Sequence, residues 1–137
     1  MRKATRALLC LALGLAVTPL FAAGKDFEGT PQAKVYRANQ KAIATGDYEA
    51  YKKTMSSEAL KEMDSQTKAM GKQPKDIMEL MKMMSPTDIK ITDVKVDGKK
   101  AVLSVNGKSD GQMMKGTADM VDENGGWKMG KQSWSNK

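Results

Sequence analysis

Histidine is absent from this chain of 137 residues, and cysteine occurs once, at Cys10. Cys10 lies in a leader segment, so the remainder can form no disulfide even in an oxidising compartment. The missing histidine and cysteine also remove the ligands that would strengthen a metal site built from weaker donors. Aromatic side chains make up only 5% of the chain. Lys alternates with Asp and Glu, with no dense basic block, which argues for a solvated surface and against a nucleic-acid face. The one long apolar run, Ala7 to Val17, is too short and wrongly flanked for a stable membrane span. No internal repeat and no low-complexity linker divides the sequence.

What is present begins with an address. Arg2, Lys3 and Arg6 precede that apolar run, and "TPLFAAG" follows it with a helix breaker and small residues, the pattern of a secretory signal peptide. Cleavage is expected after Ala22, Ala23 or Gly24. Lipidation of Cys10 is rejected, because Leu9 is not small and the apolar run continues past the cysteine. The expected organisation is a signal peptide over 1–24, a short polar lead-in over 25–30 and one α+β domain over 31–137, exported to the periplasm or secreted. Removing the three leader cations from 23 basic residues leaves 20 against 16 acidic ones, a net charge of +4.

The hydrophobic period is helical up to Pro86 and two-residue after it. Pro31 suits the first position of a helix, and Val35, Ala38, Ala42 and Ile43 share an arc with Tyr36 at its margin. Gly46 and Asp47 read as the end of that helix and the cap of the next. Ser56 or Ser57 caps a third helix with a stripe of Ala59, Met63, Gln66 and Met70. Gly71 stops it, Pro74 opens a methionine-rich fourth helix, and Ser85-Pro86 closes that one. Beyond, Ile89 and Ile91 alternate, then Val94 and Val96. The slip in phase between the pairs predicts a bulge near Thr92-Asp93. Asp97-Gly98 marks a hairpin. Ala101, Leu103 and Val105 alternate on the next strand, and Met114, Gly116, Ala118 and Met120 on the one after. A turn at "DENGG" leads into a last strand with Trp127 and Trp134. These two stand seven positions apart, which predicts opposite faces.

"ATGDYEAYKKTMSSE" resembles the corner between the first two helices of nuclear transport factor 2-like proteins, and "VDENGGWKM" resembles the last hairpin of their small secreted bacterial relatives. The resemblance implies a cystatin-like cone: N-terminal helices packed in a curved four-stranded antiparallel sheet, with a pocket at the mouth. Its motifs are structural and carry no chemistry. The superfamily includes dehydratases, whose sites lean on histidine, and steroid isomerases, which need a pocket aspartate and a tyrosine or protonated aspartate as oxyanion donor. Tyr36, Tyr48, Tyr51 and Asp119 do not align onto those positions, so no catalytic residue is carried over.

The stretch "DIMELMKMMSP", Asp76 to Pro86, holds Met78, Met81, Met83 and Met84. With Ile77 at zero, Leu80, Met81 and Met84 fall within about 60° of it, at about 100° per residue. Met78 and Met83 widen the arc until only Glu79 and Lys82 are left for solvent. Such a helix is expected to pack under the sheet, with Met as adaptable core filler. The alternative is a copper(I) site of Met78, Met81 and Met84, since soft copper accepts thioethers. Asn39 sits in the apolar arc of the first helix and needs partners if buried; it is either a pocket-lining amide or a residue bonded to backbone. The expectation is a non-enzymatic binding module needing no cofactor, monomeric or homodimeric. Its pocket of Tyr36, Asn39, Met81, Met84, Leu103 and Met120 would take a small apolar molecule or a segment of an envelope protein.

Overall fold

A computed structural model describes residues 26–136; the expected signal peptide over 1–24 lies outside them. Four helices come first: α1 (Pro31–Thr45), α2 (Tyr48–Thr54), α3 (Ser57–Ala69) and α4 (Pro74–Met84). Four strands follow: β1 (Thr87–Asp97), β2 (Lys100–Ser109), β3 (Gln112–Glu123) and β4 (Gly126–Ser135). The strands lie in the order β1-β2-β3-β4, every neighbour antiparallel, so the sheet is a meander. None of the described helices is long and apolar enough to cross a membrane.

Local chemistry sets the helix limits. Thr30 accepts the Ala33 amide and Pro31 occupies the first turn of α1. Gly46, in the left-handed region, returns its amide to the Ala42 and Ile43 carbonyls. Asp47 and Ser56 accept the amides of Ala50 and Ala59. Gln73 and Asp76 form a reciprocal capping box ahead of α4. At the last hairpin Asn124 and Gly125 take φ of 56° and 81°, the paired positive angles of the tight turn that matches strand twist.

The core lies between α1 and the inner face of the sheet. Tyr36 is fully buried among Leu103, Val105, Ala118, Met120 and Met129. The buried arc of α1 is Gln32, Ala33, Tyr36, Asn39, Ala42 and Ile43. Tyr36 is therefore at its centre and Ala38 is exposed. The expected arc was rotated because a tyrosine was treated as marginal, although its ring is the largest apolar surface on the helix. The lead-in is tied down too. Arg37 Nε donates to Glu28 at 3.0 Å and Arg37 Nη2 to the Ile89 carbonyl at 2.9 Å, joining residue 28, α1 and β1.

Bulges adjust the faces. The register slips between Ile91 and Asp93, at the place expected from the phase change. β1 also slips between Thr87 and Lys90. A third slip sets Ala118 against Gln132 but Met120 against Met129, so β4 carries one extra residue at Gly130-Lys131. It reverses the parity of β4, and Trp127 and Trp134 both pack on the inner core rather than on opposite faces. The Trp134 ring lies over two glycines. A Cβ on Gly116 would stand 2.7 Å from Trp134 Cε3, and one on Gly107 3.3 Å from Cζ3.

Two helices depart from expectation. On α3 only Thr67 is buried, while Gln66 and Met70 face solvent. The helix is held near its N-terminus, where the Ser56 amide donates to the Met129 carbonyl at 2.8 Å and the Ser57 amide and hydroxyl both reach the Glu123 carboxylate at 3.0 Å. α4 does not pack under the sheet. It buries Met78 against α1 and α2, also buries Ile77, half-buries Met81, and leaves Leu80, Met83 and Met84 44%, 82% and 72% exposed. Apolar residues over most of a helix permit more than one packing face, and here Met78 faces the neighbouring helices.

Candidate functional site

A cavity of about 390 Å³ opens between α1, α2, α4 and β4. From α1 it takes Asn39, Gln40 and Ile43; from α2 and the corner after it, Tyr51 and Met55; from α4 and its end, Leu80, Met81, Met84, Ser85 and Pro86. Met129, Gly130, Gln132 and Trp134 form the β4 wall. The β4 bulge is what turns Met129, Gln132 and Trp134 to this one side. Pro86, which ends α4, is also the residue a Cβ on Gly107 would strike first, at 2.9 Å, so the close approach of the chain to β2 sets the cavity's rim.

Asn39 is 2% exposed, and its amide orientation follows from its neighbours. The Thr54 hydroxyl spends its single proton on the Tyr51 carbonyl at 2.7 Å. It can only accept from Asn39, whose Nδ2 donates to it at 2.9 Å and also reaches Met55 Sδ at 3.4 Å. Both amide protons are thus used, and Oδ1 accepts no hydrogen bond among the described residues. On the opposite wall Gln132 Nε2 donates to the Tyr36 hydroxyl at 3.0 Å. Burial pushes the Tyr36 hydroxyl up to about 12, outweighing the opposing pull of the Gln132 bond and the Arg37 charge. Burial likewise raises Tyr51, with Tyr48 adding to it. Tyr51 is the one ionisable side chain among the residues that line the cavity, and it stays neutral far past physiological pH.

In fold this arrangement is similar to several solved structures. A candidate ketosteroid isomerase of Shewanella frigidimarina superposes with a TM-score of 0.57 at 14% identity, covering 82% of this chain and 100% of its own. A protein of unknown function from Shewanella baltica, described as nuclear transport factor 2-like, gives 0.50 at 11% identity, over 77% and 90%. The chain has the nuclear transport factor 2-like fold. A SEC-C motif-containing protein of Rhodopseudomonas palustris gives 0.52 at 15% identity, over 85% and 86%. No protein-family model matches the sequence, and no curated protein does either.

Within this nuclear transport factor 2-like fold the expected pocket residues separate. Asn39, Met81 and Met84 line the cavity. Tyr36 and Leu103 are wholly buried in the core between α1 and the sheet. Met120 reaches a different hollow of about 490 Å³, between α3 and strands β2 to β4, rimmed by Glu58, Glu62, Asp119, Lys100 and Lys131. The methionines proposed for copper separate as well: Met78 is buried with Ala42, Ile43 and Tyr51, whereas Met84 is at the surface. No three carboxylate, histidine or cysteine side chains among the described residues are grouped to hold a metal ion.

Sequence reasoning missed Gln132, Trp134, Met55 and Met129 as lining residues. For Trp134 a signal existed, since Gly107 and Gly116 are glycines inside strands and such glycines mark a close approach of other groups. For Met55 and Gln132 the sequence held no sign, because their place depends on the β4 bulge and on the α2–α3 corner meeting it.

Proposed function

We propose that the chain is an exported binding module without catalytic activity, whose cavity takes a small, largely apolar molecule. One observation carries the reading. The cavity combines apolar, thioether-rich walls with a buried amide, and its lining includes no Asp, Glu, Lys or Arg. General acid–base catalysis needs a group that changes protonation near the working pH within reach of the substrate. Tyr51 does not meet that need. Thioethers accommodate ligand shapes with little strain, which suits a binding role. Leu80 and Met84, exposed and lining the cavity, extend its apolar surface outward, as entry of an apolar ligand or a partner segment requires.

A titration with the neutral dye Nile red tests this. The wild-type chain is expected to bind it with a blue-shifted, enhanced emission. Met84→Trp, a substitution at an exposed rim position, should narrow the mouth and weaken binding at least fivefold. Met113→Trp, on an exposed methionine of β3 outside the cavity, should leave it unchanged. Equal binding by all three proteins removes the cavity from consideration. The copper reading survives only with a changed ligand set, because Met55, Met81, Met84 and Met129 line the cavity and Met78 does not. Native mass spectrometry after copper(I) loading of wild type and Met78→Leu checks it: one bound copper is expected in both if that set is right.

A further inference from the structure

The cavity's polar groups say more about its occupant than its walls do. Asn39 lines the cavity, 2% exposed and fixed by the bond to Thr54; it spends both amide protons inside the protein, and its Oδ1 accepts no hydrogen bond among the described residues. Its counterpart Gln132 spends one Nε2 proton on Tyr36 and keeps the other together with Oε1. Of the two amides, only Asn39 is left purely as an acceptor. A ligand that brought only acceptors would leave its Oδ1 unpaired, and an unpaired polar group costs more than a good bond returns. A charged ligand would find no counter-ion, which is costlier still. Trp134 adds a shape: Gly116 and Gly107 let its ring lie flat along the inner face of the sheet, so the wall it presents is planar.

We propose that the cavity selects a neutral ring compound that donates a hydrogen bond, from a ring N–H or O–H, to Asn39 Oδ1 while its ring lies against Trp134. The inference rests on the binding reading above and adds the polarity of the ligand to it. The donor belongs to the ligand and the acceptor to the protein. Compounds of the same size with the donor capped, or with a carboxylate added, are discriminated against.

Three probes test it on the wild-type protein, by calorimetric titration and ligand-observed NMR: indole, 1-methylindole and indole-3-acetate. Indole should bind roughly fivefold tighter than 1-methylindole, the worth of one neutral hydrogen bond, although the methylated compound is the more apolar. Indole-3-acetate should bind weakest. Asn39→Leu removes the acceptor and leaves the Thr54–Tyr51 bond in place, so the ratio of the two neutral probes should fall to about one. Trp134→Leu should weaken both neutral probes alike and keep their ratio. If Asn39→Leu does not fold, the wild-type ratio together with the Trp134→Leu ratio decides. Equal binding of indole and 1-methylindole, or tighter binding of the acetate, overturns the proposal. So does a failure of all three probes to bind at millimolar concentration while Nile red still binds and responds to Met84→Trp. That last result would leave the binding module standing without its proposed ligand class, whereas loss of Nile red binding as well would remove both.

Discussion

Gly116→Ala is the substitution whose cost the structure defines most sharply. Gly116 is buried on β3 opposite Trp134, and an added Cβ would meet Trp134 Cε3 at 2.7 Å, Cδ2 at 2.8 Å and the Ser133 carbonyl oxygen at 2.8 Å. Carbon atoms in contact prefer about 3.5–4.0 Å, so the indole must withdraw by about 1 Å. The Ser133 oxygen belongs to the paired strand and cannot turn aside. Overpacking of this kind costs about 1–3 kcal/mol. The backbone entropy that alanine saves in the unfolded chain offsets about 0.5–1 kcal/mol of it. A net loss of about 1–2 kcal/mol is expected, or roughly 4–8 °C in melting temperature for a domain of this size. Urea melts followed by circular dichroism measure it. Gly29→Ala serves as reference, because nothing lies within 4 Å of that added Cβ. In a Trp134→Leu background the cost should shrink by about half, since the ring clash is gone while the Ser133 contact stays. A Gly116→Ala protein as stable as wild type, with unchanged tryptophan emission, would refute the packing described for Trp134.

Two further outcomes concern pH. The Arg37 guanidinium holds the Glu28 carboxyl below its usual range, so the pair stabilises the fold above the unfolded carboxylate pKa and the effect is lost as pH falls through the lower folded value. Both side chains are more than a third exposed, and solvent screening limits the contribution to under about 1 kcal/mol. Glu28→Gln should therefore melt slightly earlier than wild type at pH 7 and at the same temperature once the acid limb is passed; a gap that persists there would contradict the assignment. Tyr36 works in the opposite sense. Its folded pKa of about 12 exceeds the unfolded value, so the unfolded chain ionises first and stability declines from about pH 10 upward. Tyr36→Phe should lose about 1 kcal/mol at pH 7 with the Gln132 bond, yet show a shallower decline between pH 10 and 12 in urea melts. Equal alkaline slopes would count against the burial of that hydroxyl.

Features fixed within a few residues were the legible ones. Pro31, Gly46-Asp47, the serine pair Ser56-Ser57 and Pro74 mark helix ends by local backbone chemistry, and the helices start and stop there. The bulge at Thr92-Asp93 was legible because β-branched residues on either side keep a clean alternation that visibly slips. The bulge at Gly130-Lys131 was not, since "WKMGKQSW" mixes glycine, lysine and glutamine on both faces and offers no phase to lose. The candidate site inherits that gap: half of it hangs on the parity of β4. Methionine misled in a different way. It is apolar enough to read as core and flexible enough to remain at the surface, so the number of methionines on α4 could not say which of them would be covered.

The meander has a consequence for the order of folding. Each strand pairs with its neighbour in sequence, so the hairpins can close one after another over short loops, at little entropic cost. The contacts that join the helices to the sheet cannot form so early, although the helices are synthesised first. Tyr36 waits for Gln132, 96 residues on; Lys53 for Lys128, 75 on; Ser57 for Glu123, 66 on. Until β2, β3 and β4 are available, α1 has little surface on which to bury its tyrosine. The core between α1 and the sheet is therefore built from contacts of long sequence separation, and such contacts make for slower folding than the local pairing of the hairpins.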